Sequence, residues 1–171
     1  MHKLLSFLVI SVMSSGVVFA QVNTDALSAS REAFWKQIDT TTEWGSWLVI
    51  EVKPYLDKMS EAMVTTTLPT TQIDVTGLSP EEILKKVNAG FVDYYKAMQN
   101  IIPPTELKAY HTKILEFYAE VTKVIPANHQ QALQSDAIMK KLVDEATQDL
   151  AQVFIRHGVP QDIIAEFTKI P

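Results

Sequence analysis

The 171-residue chain is 47% hydrophobic and 20% charged, with 15 Lys+Arg against 20 Asp+Glu and no cysteine. Without a thiol there is no cysteine nucleophile, no disulfide staple, no iron-sulfur cluster, no zinc ribbon and no c-type haem attachment. A formal net charge of −5 argues against a protein built on phosphate contacts, because nucleic-acid binders concentrate basic residues.

Residues 1–20 read as a cleavable secretory signal. Met1 to Lys3 gives a short basic start, Leu4 to Met13 is almost wholly apolar, and Val18 and Ala20 are compact residues at the two positions a signal peptidase inspects. Cleavage before Gln21 leaves a single domain, 21–171, with 14 basic and 20 acidic groups. The apolar run is shorter than the ~20 residues of a spanning helix, so no membrane span is expected in the mature chain. No Cys follows the cleavage site for lipid attachment, and no Asn-x-Ser/Thr sequon occurs, which favours a bacterial periplasm or exterior.

In the mature chain the apolar pattern is helical throughout, and the fold class expected is all-α: an antiparallel bundle of four or five helices. Leu27, Phe34, Thr41, Leu48 and Tyr55 fall seven apart, with Ile38, Gly45, Val52 and Met59 at the intervening offsets. One heptad frame from 27 to about 62 favours one long first helix, bent where Pro54 removes the hydrogen bond to the Ile50 carbonyl, over two separate helices. Thr65 to Leu78 carries Pro69 and Gly77 and no helical period, so it is expected to be a crossing loop.

Ser79-Pro80-Glu81-Glu82 then signals a helix start: a Ser cap, Pro at the first helical position and a Glu that closes a capping box. Ile83, Val87, Phe91, Tyr94, Met98 and Ile101 form its buried stripe, and Pro103-Pro104 stops it. The next helix, from about Thr105 to Ile125, buries Leu107, Tyr110, Ile114, Phe117, Val121 and Val124, and the two make an αα-hairpin. They resemble each other at an offset of 23 (Pro80 with Pro103, Leu84 with Leu107, Tyr95 with Tyr118). The likeness stops after Pro126, so it is attributed to shared helical periodicity rather than to a solenoid. A long helix is expected from Gln130 to His157, with Ile138, Leu142, Ala146, Leu150, Val153 and Phe154 inward and Gly158 as the left-handed terminator. A short C-terminal helix after Pro160 carries Ile163, Ile164 and Phe167.

Motifs for catalysis are missing from the sequence. No histidine follows an acidic residue at the three-residue spacing of di-metal bundles, no His-Glu-x-x-His or Gly-x-Ser-x-Gly occurs, and the glycines are isolated. The expectation is therefore a non-enzymatic protein without a cofactor. A haem- or metal-binding bundle using Met59, Met63, His111 and His157 is the alternative. Against it, Met is an ordinary core filler, and His157 at a helix end complements the dipole without a ligand. His111 lies on an apolar face, where a hydrogen bond from a neighbour is expected. His129 begins a helix. On the heptad seam Trp35 and Trp44 flank the buried line while Trp47 points away, and an outward Trp needs a partner. Trp47, Trp44 and Tyr55 are accordingly the candidate binding residues. The expected role is an exported binding or interaction protein (adaptor, inhibitor or holdase) whose partner is a protein or an apolar ligand.

Overall fold

The computed structural model describes residues 32–71, 76–124 and 129–168. The expected signal segment, residues 1–20, and Leu27 of the heptad seam lie outside these. Among the described residues the protein is all-α, without a strand. From Glu43 onward its α-helices are α1 (Glu43–Trp47), α2 (Lys53–Thr71), α3 (Pro80–Gln99), α4 (Lys108–Val124), α5 (His129–Arg156) and α6 (Gln161–Thr168). A π-helical turn, Leu48–Val52, joins α1 to α2, a 3₁₀ turn, Thr105–Leu107, leads into α4, and residues 32–36 are also helical.

The chain forms two compact units. One comprises residues 1–51 and 151–171, the other residues 52–150.

The first helix differs from the single bent element that the heptads suggest, because the chain leaves the helix between Gln37 and Thr42. Asp39 and the threonines after it compete for the backbone. The Asp39 carboxylate accepts from the Thr41 amide (2.9 Å) and hydroxyl (2.6 Å), and the Thr42 hydroxyl donates to the Asp39 carbonyl (2.7 Å). Thr42 then caps α1 by accepting from the Gly45 amide at 3.1 Å. Thr41, assigned to the buried seam, is exposed as part of this turn, and upstream of it Trp35 and Ile38 are the buried residues, with Phe34 only half-buried.

From Glu43 onward the heptad reading holds. Leu48, Val52, Tyr55 and Met59 are buried, and the helical path runs past Pro54 to Thr71. The π turn stands directly before the proline. A wider turn is one of the few geometries in which a helix relieves a proline ring that would otherwise meet the carbonyl of the preceding turn.

The expected crossing loop is shorter than Thr65 to Leu78, because Thr65–Thr71 is helical. The Thr65 hydroxyl donates to the carbonyls of Glu61 (2.9 Å) and Ala62 (3.1 Å), and that of Thr66 to Ala62 (2.7 Å). Bonding back to the preceding turn is how threonine is accommodated within a helix. Residues 72–75 of the connector lie outside the described residues, and Gly77 takes φ +76°.

In the unit 52–150, α3 opens with the full capping box: Ser79 accepts from the Glu82 amide, and the Glu82 carboxylate accepts from the Ser79 amide at 2.8 Å. The Ser79 amide and hydroxyl, each donating to that carboxylate at 2.8 Å, hold the Glu82 carboxyl below its ordinary range. Helix α2 packs beside α3, and α3 beside α4. The α3–α4 pair is antiparallel, since Asn88 donates to the Thr122 carbonyl at 3.4 Å while, further along, Tyr94 meets Tyr118 edge-on with ring centroids 4.6 Å apart. Helix α5 is tied to α4 by Lys113, which reaches Glu145 at 2.9 Å and Glu116 at 3.2 Å. The expected stripes are buried at Val87, Phe91, Tyr94 and Met98 and at Leu107, Tyr110, Ile114, Phe117 and Val121. On α5, however, Ile138 is exposed and Met139 takes the inward place. Both stand at helical spacing from Leu142, so periodicity alone does not separate them.

Candidate functional site

In the unit formed by residues 1–51 and 151–171, local sequence sets a row of aromatic rings. Helix α5 ends at Gly158, whose φ of +70° is the left-handed conformation a helix terminator needs. The Gly158 amide donates to the Ile155 carbonyl and the Val159 amide to the Phe154 carbonyl, both at 3.0 Å, the two bonds of a Schellman motif. Val159 and Phe154 are buried, as the hydrophobic partners of that motif should be. The motif fixes His157 at the end of α5 and directs the chain through Pro160 into α6, where Phe167 is buried.

The rings then meet in sequence. Phe34 and Trp35 lie edge-on to each other (5.4 Å) and to Phe167 (5.2 and 5.7 Å), Phe167 meets Phe154 (4.9 Å), and Phe154 meets Trp47 (5.7 Å). The last contact is of another kind: Trp47 and His157 lie flat on one another, centroids 3.7 Å apart and planes within 5°. Trp47 therefore does not stand out in water as an outward position would. It is half-buried, with its Nε1 shielded and without a hydrogen-bond partner, and the Nε1 of buried Trp35 is in the same state. An unpaired buried donor costs roughly 1–3 kcal/mol, so burial of the rings has to outweigh both.

Trp44 is half-buried one turn before Trp47, and three residues after Trp47 comes Ile50, which is 64% exposed. Residues three apart are neighbours along an α-helix, so Trp44 and Trp47 adjoin on α1, and Ile50 follows them on the π turn. A large aliphatic side chain this open, in the turn that follows two half-buried indoles, is material from which apolar recognition surfaces are built.

The chain matches no protein-family model, no curated protein and no solved structure. The site is therefore read from its own chemistry.

Tyr55, the third candidate binding residue, is enclosed in the other unit at 3% exposure, with its hydroxyl 2.9 Å from His111 Nδ1. His111 is buried too, and this pair answers the expectation that the imidazole finds a neighbour. Burial pulls the His111 pKa below the ordinary histidine value, opposed by a backbone hydrogen bond to Met98. Burial also raises the phenols of Tyr55, Tyr94 and Tyr118 well above the usual tyrosine range and that of Tyr110 to about 12. At neutral pH the phenols are un-ionised and the imidazole is neutral; the backbone bond with Met98 raises the imidazole pKa, as a carbonyl accepting from a ring N–H does, and with the ring hydrogen so engaged Nδ1 accepts from the Tyr55 hydroxyl.

The four candidate ligands fall in different units. Met59 is buried and Met63 half-buried, one turn apart on α2 in the same unit as His111, whereas His157 belongs to the other unit with Trp47. Among the described residues no three of His, Asp and Glu gather at one point, and no helix is long and apolar enough to cross a membrane. Sequence reasoning missed the ring row from Phe34 to His157 and the Tyr55–His111 bond. The one signal for the latter was a polar side chain on an otherwise apolar face of α4, which demands a partner without naming it.

Proposed function

We propose that the chain is an exported, non-enzymatic helical binding protein whose ridge of Trp44, Trp47 and Ile50 meets an apolar ligand or an apolar segment of a protein partner. The observation that carries this reading is Ile50, open to solvent in the turn directly after two half-buried indoles. The stacked His157 gives the ridge a firm base: a flat ring held by a helix terminus keeps Trp47 in one orientation, and a pre-set ring binds with less loss of side-chain freedom. Export is supported by the apolar run from Leu4 to Met13 with Val18 and Ala20. A non-enzymatic role is supported by the missing catalytic motifs.

The test compares the full mature chain with Ile50→Ser. An exposed substitution leaves stability within about 0.5 kcal/mol. Immobilised wild-type protein is expected to enrich a defined set of proteins or apolar molecules from the exported fraction of its native cells, identified by mass spectrometry, and the variant is expected to lose it. Capture of the same set by both proteins would remove the ridge from consideration. N-terminal sequencing of native material checks export, with Gln21 as the expected first residue.

A further inference from the structure

In the unit 52–150 a polar contact ties α2 to α4 through the apolar interior: the Tyr55 hydroxyl on His111 Nδ1, 2.9 Å apart across 56 residues of sequence. Both side chains are more than nine-tenths buried. Around them stand apolar and aromatic groups, with Tyr110 edge-on to Tyr55 at 6.5 Å.

We propose that the Tyr55–His111 pair is an acid-sensitive latch, closed while the imidazole is neutral and opened by its protonation, which releases α2 from α4.

The chemistry follows from the directions of the bond. With the ring neutral and its one N–H given to the Met98 backbone, Nδ1 is an acceptor and the phenol donates to it. A proton taken from solvent at Nδ1 turns that atom into a donor, so two hydrogens face each other unless the phenol hydrogen turns away into apolar surroundings. The imidazolium so formed also has to be held out of water. Compensation for it is scant on every neighbouring element. From α2 comes the Tyr55 phenol, which burial keeps un-ionised, while Lys53 and Asp57 pair with each other and Lys58 is exposed. From α3 come the backbone group of Met98 and the phenol of Tyr94, which burial keeps un-ionised. On α4 itself, Tyr110 is un-ionised, and Lys108, one turn earlier and exposed, adds charge of the same sign. From α5, Glu145 is held by Lys113 and Lys141. Among the described residues no carboxylate forms an ion pair with His111.

Burial lowers the folded-state pKa of His111, so the unfolded chain takes up a proton here before the folded one does. The latch is therefore fully closed above the unfolded value of about 6.5 and loses its contribution as pH falls below it. This window lies above the one in which Asp39, Glu82 and Glu145 take protons, since their partners hold those carboxyls below the ordinary range.

Two measurements test it. Urea midpoints of the full mature chain are followed by circular dichroism between about pH 7.5 and about pH 5, for the wild type and for His111→Asn, which keeps an acceptor near the Nδ1 position but does not titrate. The wild-type midpoint is expected to fall across this range and that of His111→Asn to stay level. An equal fall in His111→Asn, or a level wild-type midpoint, overturns the proposal. Second, the His111 ring is titrated by nitrogen NMR in the wild type and in Tyr55→Phe, a readout that holds even if His111→Asn does not fold. It should titrate below the ordinary histidine value in the wild type and closer to that value once the hydroxyl is removed. An unchanged midpoint would show that Tyr55 does not govern the protonation.

Discussion

The carbonyl oxygen of Asp39 lies 2.0 Å from the place a β-carbon on Gly45 would occupy, and the carbonyl carbon lies 2.8 Å from it. The turn that interrupts the first helix is folded directly onto the start of the next, and only a residue without a side chain permits it. A helical glycine replaced by alanine ordinarily gains about 1 kcal/mol. Here the clash is with backbone, which has little room to yield, so Gly45→Ala should lose roughly 1–3 kcal/mol, as overpacked sites do. Its urea midpoint is expected to fall, and a rise would show that the turn is free to move.

Gly158 calls for a glycine on other grounds. Beyond its immediate chain neighbours nothing lies within 4 Å of its would-be β-carbon, yet its φ is +70°. Gly158→Ala should therefore cost only the left-handed strain, about 1–2 kcal/mol. Gly158→Asn, which tolerates that conformation better, should recover part of the loss in the same denaturation series.

Phe91 and Phe117 stand at mid-helix on α3 and α4, 3% and 6% exposed, each with its ring near that of Tyr118. Either replaced by alanine should lose about 3–5 kcal/mol, from transfer of the ring and the cavity left behind. Calorimetric unfolding of both variants measures it, and midpoints equal to wild type would put the stripes on the wrong faces.

Trp47 rests on Phe154 and His157 but is only half-buried. Trp47→Ala should accordingly cost about 2 kcal/mol, less than a fully enclosed Trp, while Ile50→Ser stays within about 0.5 kcal/mol. The pair of values, read from denaturant midpoints, separates the base of the ridge from its open edge.

What the sequence made legible was whatever short-range chemistry decides. Ser79 and Glu82 are three residues apart and satisfy each other, so the start of α3 could be read directly, and Gly158 with Pro160 marked the end of α5 in the same way. The stripes through Phe91 and Phe117 followed from period alone. Asp39 was harder, because the heptad frame runs unbroken across it while its carboxylate captures the Thr41 amide and hydroxyl and ends the helix. Thr65 and Thr66 deceived in the opposite direction: poor helix formers by propensity, they stay helical by bonding to carbonyls of the turn before. Of the candidate site, Trp44 and Trp47 were visible as aromatics off the seam. The partners of Trp47, namely Phe154 and His157, were not, and neither was the bond from Tyr55 to His111. Contacts across a hundred or even fifty residues are set by how helices come together, and a single sequence records only that each such face is waiting for something.

The division of the chain into two units coincides with a division of its chromophores. All three tryptophans, Trp35, Trp44 and Trp47, belong to the unit of residues 1–51 and 151–171, and all five tyrosines, Tyr55, Tyr94, Tyr95, Tyr110 and Tyr118, belong to residues 52–150. Light absorbed at the red edge, where phenols are silent, therefore excites indoles of the first unit alone, and the ultraviolet difference spectrum of the phenols reports the second. The protein carries its own pair of unlabelled reporters, one for each unit. Two melting curves recorded on one sample would show whether the units come apart together or in turn, and acid opening of the Tyr55–His111 latch would register in the phenol signal first.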